Sequence, residues 1–211
     1  VGICRPATVR VGVPAYDCLR DGPCLRETLL RLRDTGVTVL DTQFLRFEPV
    51  RPVGVPEGFL DVSARLGAKH VLVMSAEPEE ARTLDRFGEL CDQAATYDLG
   101  VGLEFAVYTG VRTLADAARL VKQSGRPNTS VVVDFLHFSR SGGQPAHLGT
   151  VDPALLHYAQ VCDAGPDMPA PTDTPNLIRE ARGGRFFPGE GTLPLKDLVA
   201  IGPIQSVPIV L

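Results

Sequence analysis

Seven short apolar runs, each followed by a segment of helical character or a loop, leave this chain few folds to choose from. The runs are VGIC, VTVLDTQFLRF, KHVLVMS, VGLEFAV, NTSVVVDFLHF, AQVCDA and VPIVL. They are rich in β-branched residues and hardly alternate with polar ones. Strands of that kind are covered on both faces, which requires a parallel sheet with helices packed against it. Between them lie helical segments at CLRETLLRLRDTG, PEGFLDVSARLGA, LDRFGELCDQAATYDLG, TLADAARLVKQSG and DPALLHYA, with a last helix at LPLKDLVAIG. Gly36, Gly67 and Gly125 stand where a left-handed residue stops a helix, and Thr113 stands where a hydroxyl caps one. Strict strand–helix alternation restricts the architecture to a doubly wound sheet or a (β/α)8 barrel.

Two features favour the barrel. No G-x-G-x-x-G follows the first strand, so the dinucleotide fingerprint is missing. Polar residues also stand at the C-terminal ends of several different strands, where a barrel carries its site. The expectation is an α/β (β/α)8 TIM barrel lacking its first βα unit, since the 211 residues supply seven strands and about 250 residues are typical of the fold. Residues 1–211 read as a single domain, incomplete at both ends, with Val1 already inside a strand.

Composition excludes several classes of partner. The net charge is −4, and the basic clusters RPATVRVG, RETLLRLR and LIREARGGR are too short for a nucleic-acid footprint. No apolar run approaches the ~20 residues that span a bilayer, and no signal peptide is visible. The five cysteines are odd in number and form no C-x-x-C pair, which predicts reduced thiols and a cytoplasmic protein.

The residues that carry chemistry gather at strand ends. Glu104 interrupts the apolar strand VGLEFAV, and a buried carboxylate there must shift its pKa or find a cation. Asp134 follows VVV in the same way, with His137 three residues later and the small polar turn RSGG beyond. Gln160 and Asp163 lie at the end of the next strand; Asp163 reads either as a further ligand or as a loop cap. This succession points to a divalent-metal site with oxygen-rich ligands. Among the other histidines, His70 begins a strand, and His147 and His157 read as structural. Arg140, Arg182 and Arg185 are candidates to grip an anionic or polyhydroxyl substrate. The segment Gly165–Pro194 reads as one long irregular loop, and its GGRFFPGEG stretch suits a lid, with Glu190 on the lid side.

The order of these elements resembles the sugar phosphate isomerase/epimerase superfamily, the xylose isomerase-like TIM barrels. The shared order is a Glu at one strand end, D-x-x-H at the next, Q/H-x-x-D at the third, then P-G-x-G and a last helix. The likeness runs from about Val37 onward. It implies Glu104, Asp134 and Gln160 as metal ligands, with Gln160 standing where many members carry His. Glu104 and His137 become the catalytic residues, with His137 near substrate oxygens; Arg140 and Arg182, taken from their chemistry alone, are the arginines expected to contact substrate. The implied cofactor is a divalent ion, Mn2+ first and Mg2+, Co2+ or Zn2+ as alternatives. The implied activity is isomerisation or epimerisation of a small sugar or sugar-derived ketone through an enediolate. The alternatives are a dehydratase of the dehydroshikimate or inosose type and a degenerate, non-catalytic barrel. A fourth ligand, a Glu, is expected directly after Leu211, and a protein ending at Leu211 is expected to be inactive. The expected partner is a sugar or keto-acid small molecule, with neither nucleic acid nor membrane, and with a homodimer left open.

Overall fold

The computed structural model describes residues 1–4, 22–49 and 55–210. Its seven strands are β1 (Gly2–Cys4), β2 (Asp41–Phe47), β3 (His70–Ser75), β4 (Gly100–Glu104), β5 (Thr129–Asp134), β6 (Leu156–Gln160) and β7 (Ile209–Val210). All neighbours pair in parallel and in chain order, β1 through β7, forming a nearly closed α/β barrel. The chain is therefore the expected TIM barrel, consistent with a shortened (β/α)8 architecture.

Side chains of alternate residues enter different cores. Val71 and Val73, Val101 and Leu103, and Val131 and Val133 point outward into the main core. There they meet Phe87, Leu90 and Ala94 of α3 (Glu80–Ala95) and Ala117, Leu120 and Val121 of α4 (Leu114–Ser124). Leu72, Met74, Val132 and Tyr158 form a second cluster on the inner face. Because side chains repeat every two residues along a strand, Gly100, Gly102 and Glu104 share the inner face, as do Ser130, Val132 and Asp134. Continuous apolar sequence thus reflects two buried faces, and the inner one carries the polar residues.

The helix signals act as expected at several ends. α1 (Pro23–Thr35) stops at Gly36 (φ 68°) and α4 at Gly125 (φ 63°). α2 (Phe59–Arg65) is followed by Gly67, also at positive φ. Thr113 caps α4 with a reciprocal box: its hydroxyl accepts from the Asp116 amide, and the Asp116 carboxylate accepts from the Thr113 amide. Such a cap contributes about 1 kcal/mol.

Other boundaries differ from the sequence reading. Residues 37–40 precede β2, and α3 starts at Glu80, ahead of its first apolar residue. NTSVVVDFLHF is not one strand: β5 stops at Asp134, and α5 (Phe135–Arg140) follows at once. The Asp134 carboxylate accepts the His137 amide at 3.0 Å and turns an apolar run that has no decisive period into a helix. DPALLHYA yields only one 3-10 turn, Pro153–Leu155, because Leu156, His157 and Tyr158 join β6. After α6 (Pro145–Leu148) and β6, the supposedly irregular segment contains α7 (Thr174–Gly183). Asp173 caps α7, Pro175 lies in its first turn, and Leu177 is buried beneath it. α8 (Leu195–Val199) and α9 (Gly202–Gln205) precede β7.

Cys91 and Cys162 are free and buried, but Cys24 is disulfide-bonded, against the expectation of reduced thiols throughout. Among the described residues no helix is long and apolar enough to cross a membrane.

Candidate metal centre

The C-terminal ends of β4 and β5 bring Glu104 and Asp134 to the same rim of the inner face. One turn of α5 returns His137 to them. Glu104, Asp134 and His137 each offer a ligand atom, and these atoms lie within 4.8 Å of one another. All three side chains are buried. Gln160 ends β6 in register with Asp134 and also pairs with Val210 of β7, so it stands at the same rim, half-buried.

The electrostatics of this cluster set two acids apart. Burial, and then the charge of Asp134, push the Glu104 carboxyl well above its ordinary value, with Arg185 opposing. Burial works against ionised Asp134 as well, yet His137, Arg185 and the His137 amide together outweigh it and hold its pKa below the ordinary value. Burial likewise lowers His137, which is held neutral with a lone pair to offer. Two carboxylates at one buried point, with the neutral imidazole of His137 beside them and Gln160 at the same rim, suit a divalent cation, which would offset the burial and repulsion that raise the Glu104 pKa. The residues fit the implied metal. The fourth carboxylate expected after Leu211 lies outside the described residues.

Of the three candidate arginines, Arg185 reaches this cluster. Its Nη1 donates to Asp134 Oδ2 at 2.5 Å and lies 3.2 Å from Cys162 Sγ, while its Nε donates to the Ala181 carbonyl. Arg140 is buried and turned to a different task. Its Nε donates to Glu180 Oε2 at 2.9 Å, and its Nη2 donates to Glu180 Oε1 and to the Gly165 carbonyl. Its fork is spent tying α5 to α7, which leaves little of it for a substrate. Arg182 is exposed on α7.

Asp163 resolves as the loop cap, and it explains how Arg185 is delivered. Its Oδ1 accepts from the Ala164 and Leu193 amides and its Oδ2 from the Gly189 amide, at 2.9–3.0 Å. Its own backbone exchanges two hydrogen bonds with Phe186. The P-G-E-G stretch is thus stitched to the end of β6 and lays Arg185 against Asp134. Gly191 has no room for a side chain, since a Cβ there would come within 2.3 Å of the Ala164 carbonyl oxygen and 2.4 Å of Asp163 Oδ1. Glu190 is exposed, and its carboxylate accepts from the Phe187 amide at 3.3 Å.

One neighbour escaped the sequence reading. Tyr108 presents its ring edge-on to His137, with centroids 5.7 Å apart. Burial, then Glu104 and Asp134, raise its hydroxyl to about 12, so it stays a donor. Its signal was its place four residues after Glu104, which is visible only once Glu104 is known to sit on a rim.

Comparisons with known proteins bear on the fold and the family. Solved structures of similar fold include a xylose isomerase-like TIM barrel/4-hydroxyphenylpyruvate dioxygenase fusion protein (TM-score 0.75, 23% identity, 88% of this chain but 31% of that one). Another is the IolI protein with a bound zinc atom (TM-score 0.72, 22% identity, 91% of this chain and 73% of that one). A third is D-psicose 3-epimerase in the presence of D-fructose (TM-score 0.63, 15% identity, 88% of this chain and 68% of that one). At these identities the likeness establishes the fold alone. The chain spans under a third of the fusion protein. No curated protein matches it in sequence. Residues 58–201, however, match a family in their own sequence, and the matched stretch carries β3 through α8 with every residue of the rim cluster. This chain therefore belongs to the xylose isomerase-like TIM barrel family.

Proposed function

We propose that the chain is a divalent-metal-dependent isomerase or epimerase acting on a small sugar or sugar-derived ketone by way of an enediolate. The observation that supports it most is the buried rim cluster of Glu104, Asp134 and His137, with ligand atoms inside 4.8 Å and a guanidinium alongside. Glu104, Asp134 and the amide oxygen of Gln160 would hold the ion. When bound, that ion supplies Lewis-acid polarisation of a carbonyl and the adjacent hydroxyl.

The chain's own residues account for the rest. Glu104, a buried carboxylate at the end of β4, is the group to accept a proton from the carbon beside the carbonyl and to return it. Asp134 stays ionised under Arg185 and keeps the negative charge fixed. Neutral His137 donates or accepts at a substrate oxygen, braced by the edge of Tyr108. Arg185 is better placed than Arg140 or Arg182 to meet substrate oxygens, because it already lies at the cluster.

The test couples metal content to proton exchange. Purified protein and its Asp134→Ala variant are assayed for bound Mn2+, Co2+ and Zn2+, then incubated in deuterated water with a panel of ketoses. Loss of rim-bound metal in the variant, with deuterium entering the carbon next to the carbonyl only in the parent, is expected. Equal metal in both proteins, or no exchange across the panel, would sink the reading. A conjugated, ultraviolet-absorbing product from dehydroshikimate-like acids would move it to a dehydratase.

A further inference from the structure

A further guanidinium stands at the rim, three strands away from Asp134, and the chemistry described so far does not use it. Arg46 lies near the end of β2, between Leu45 and Phe47, which both enter the outer core. Its register partner on β3 is Met74, which belongs to the inner cluster. Partners in register on parallel strands share a face of the sheet, so Arg46 turns into the barrel mouth.

The same register fixes its distance from the reacting end of the site. Val73 of β3 pairs with Leu103 of β4, so Met74 stands level with Glu104, and Arg46 shares that level. Two strand spacings, about 10 Å between backbones, therefore separate Arg46 from Glu104 on one inner surface. Tyr108 links the two positions. It packs against the inner cluster that holds Met74, and its hydroxyl feels the charges of Glu104, Asp134, Arg185 and Arg46 together.

Arg46 is under-used where it stands. Its partner among the described residues is Glu48, whose side chain is 44% exposed. Arg46 Nε lies 2.8 Å from Glu48 Oε1, yet the angle makes no hydrogen bond, and this buried Nε has none elsewhere. An ion pair with one member so exposed is weakly held. Neither Nη of Arg46 makes a hydrogen bond within the described residues. The contrast with its neighbours is plain: Arg140 is tied to Glu180, and Arg185 to Asp134. Of these three arginines, Arg46 is the one with an open fork.

We propose that Arg46 is a substrate-binding residue, and that the substrate carries an anionic oxygen group, a carboxylate or a phosphate, at the end remote from its reacting carbons. The inference rests on the isomerase reading, which puts those carbons beside Glu104, and it supplies the chemistry of the other end. A planar guanidinium matches either anion through two parallel N–H donors. Its place two strands from Glu104 keeps the anion clear of the paired carboxylates and lets a small sugar lie along the inner surface past Tyr108. Glu48 competes for the same charge from the solvent side, so a ligand need displace only a loose contact.

Sorbitol, gluconate and sorbitol 6-phosphate are the probes, since they share a polyol chain and have no ketone to react. Binding to the purified protein is read by isothermal titration calorimetry at low and high salt. The parent should bind one of the anions about tenfold or more tighter than sorbitol, with a margin that shrinks as salt rises. A preference for gluconate marks a carboxylate site, and one for sorbitol 6-phosphate a phosphate site. Arg46→Gln should abolish the margin and leave sorbitol binding unchanged. Glu48→Gln should widen it, a gain that a merely structural arginine would not give. Far-ultraviolet circular dichroism checks the fold, and if Arg46→Gln does not fold, Glu48→Gln decides by whether the margin widens. No margin in the parent, failure of both anions to bind, or an unchanged margin in folded Arg46→Gln overturns the proposal. Deuterium exchange on ketoses tests the isomerase reading separately. Anion binding that depends on Arg46 without any exchange would sink that reading and leave Arg46 as an anion site; exchange with no anion preference would do the reverse.

Discussion

Replacing Glu180 by Ala isolates the buried ion pair that joins α5 to α7. The Arg140 side chain is 5% exposed and that of Glu180 13%, and the two meet through paired hydrogen bonds. Without Glu180 the guanidinium keeps the Gly165 carbonyl and the Ser139 hydroxyl, both at 3.3 Å, and has no counter-charge. Stranding one member of a buried pair costs about 3–5 kcal/mol. In a chain of this size each kcal/mol lowers the melting temperature by about 2–4 °C, so a fall of roughly 10 °C is expected. Urea denaturation followed by circular dichroism measures the loss directly. The double variant Arg140→Met/Glu180→Leu should regain most of it, because an apolar pair of similar volume carries no desolvation cost. A Glu180→Ala protein within ~0.5 kcal/mol of the parent would refute the assignment. So would an Arg140→Met protein of undiminished stability that had lost ligand binding, since it would return Arg140 to the substrate-gripping role expected from sequence.

Two other perturbations probe the stitched P-G-E-G segment. Burial works to raise the Asp163 pKa, but the amides of Leu193, Ala164, Gly191 and Gly189 outweigh it and hold the folded value below 3.8. Its contribution to stability is therefore complete above the unfolded value and is lost as the pH falls through the folded one. Acid titration of the melting temperature should show this loss below about pH 3.8 in the parent and not in Asp163→Asn. Gly191→Ala forces a Cβ against the Ala164 carbonyl and should cost about 1–3 kcal/mol, with faster proteolysis of residues 184–193 as the local readout.

Much of the rim cluster could be read in the chain because barrel chemistry follows strand ends. VGLE and SVVVD each run apolar residues into a carboxylate, and the structure ends β4 at Glu104 and β5 at Asp134. His137 followed from the three-residue spacing, although the spacing works through a helical turn that the sequence reading took for strand. The arginines were not separable. Arg140, Arg182 and Arg185 have the same chemistry, and only the α5–α7 contact and the Asp163 stitching distinguish a buried tie, an exposed residue and a neighbour of Asp134.

What the sequence determined by itself was the order of the strands, the parallel sheet and the helix ends at Gly36, Gly67, Thr113 and Gly125. Those depend on local steric preference and on burial period, which neighbouring residues carry among themselves. Tertiary structure decided which polar atoms share a space. β-branched runs cannot state which of their two faces turns inward, and LLHY could not show that pairing with β5 would draw it into β6. The same period that buries valines outward places Asp41, Ser130 and Glu104 on one inner surface. Whether those groups meet a partner there depends on barrel closure, which no stretch of the chain encodes alone.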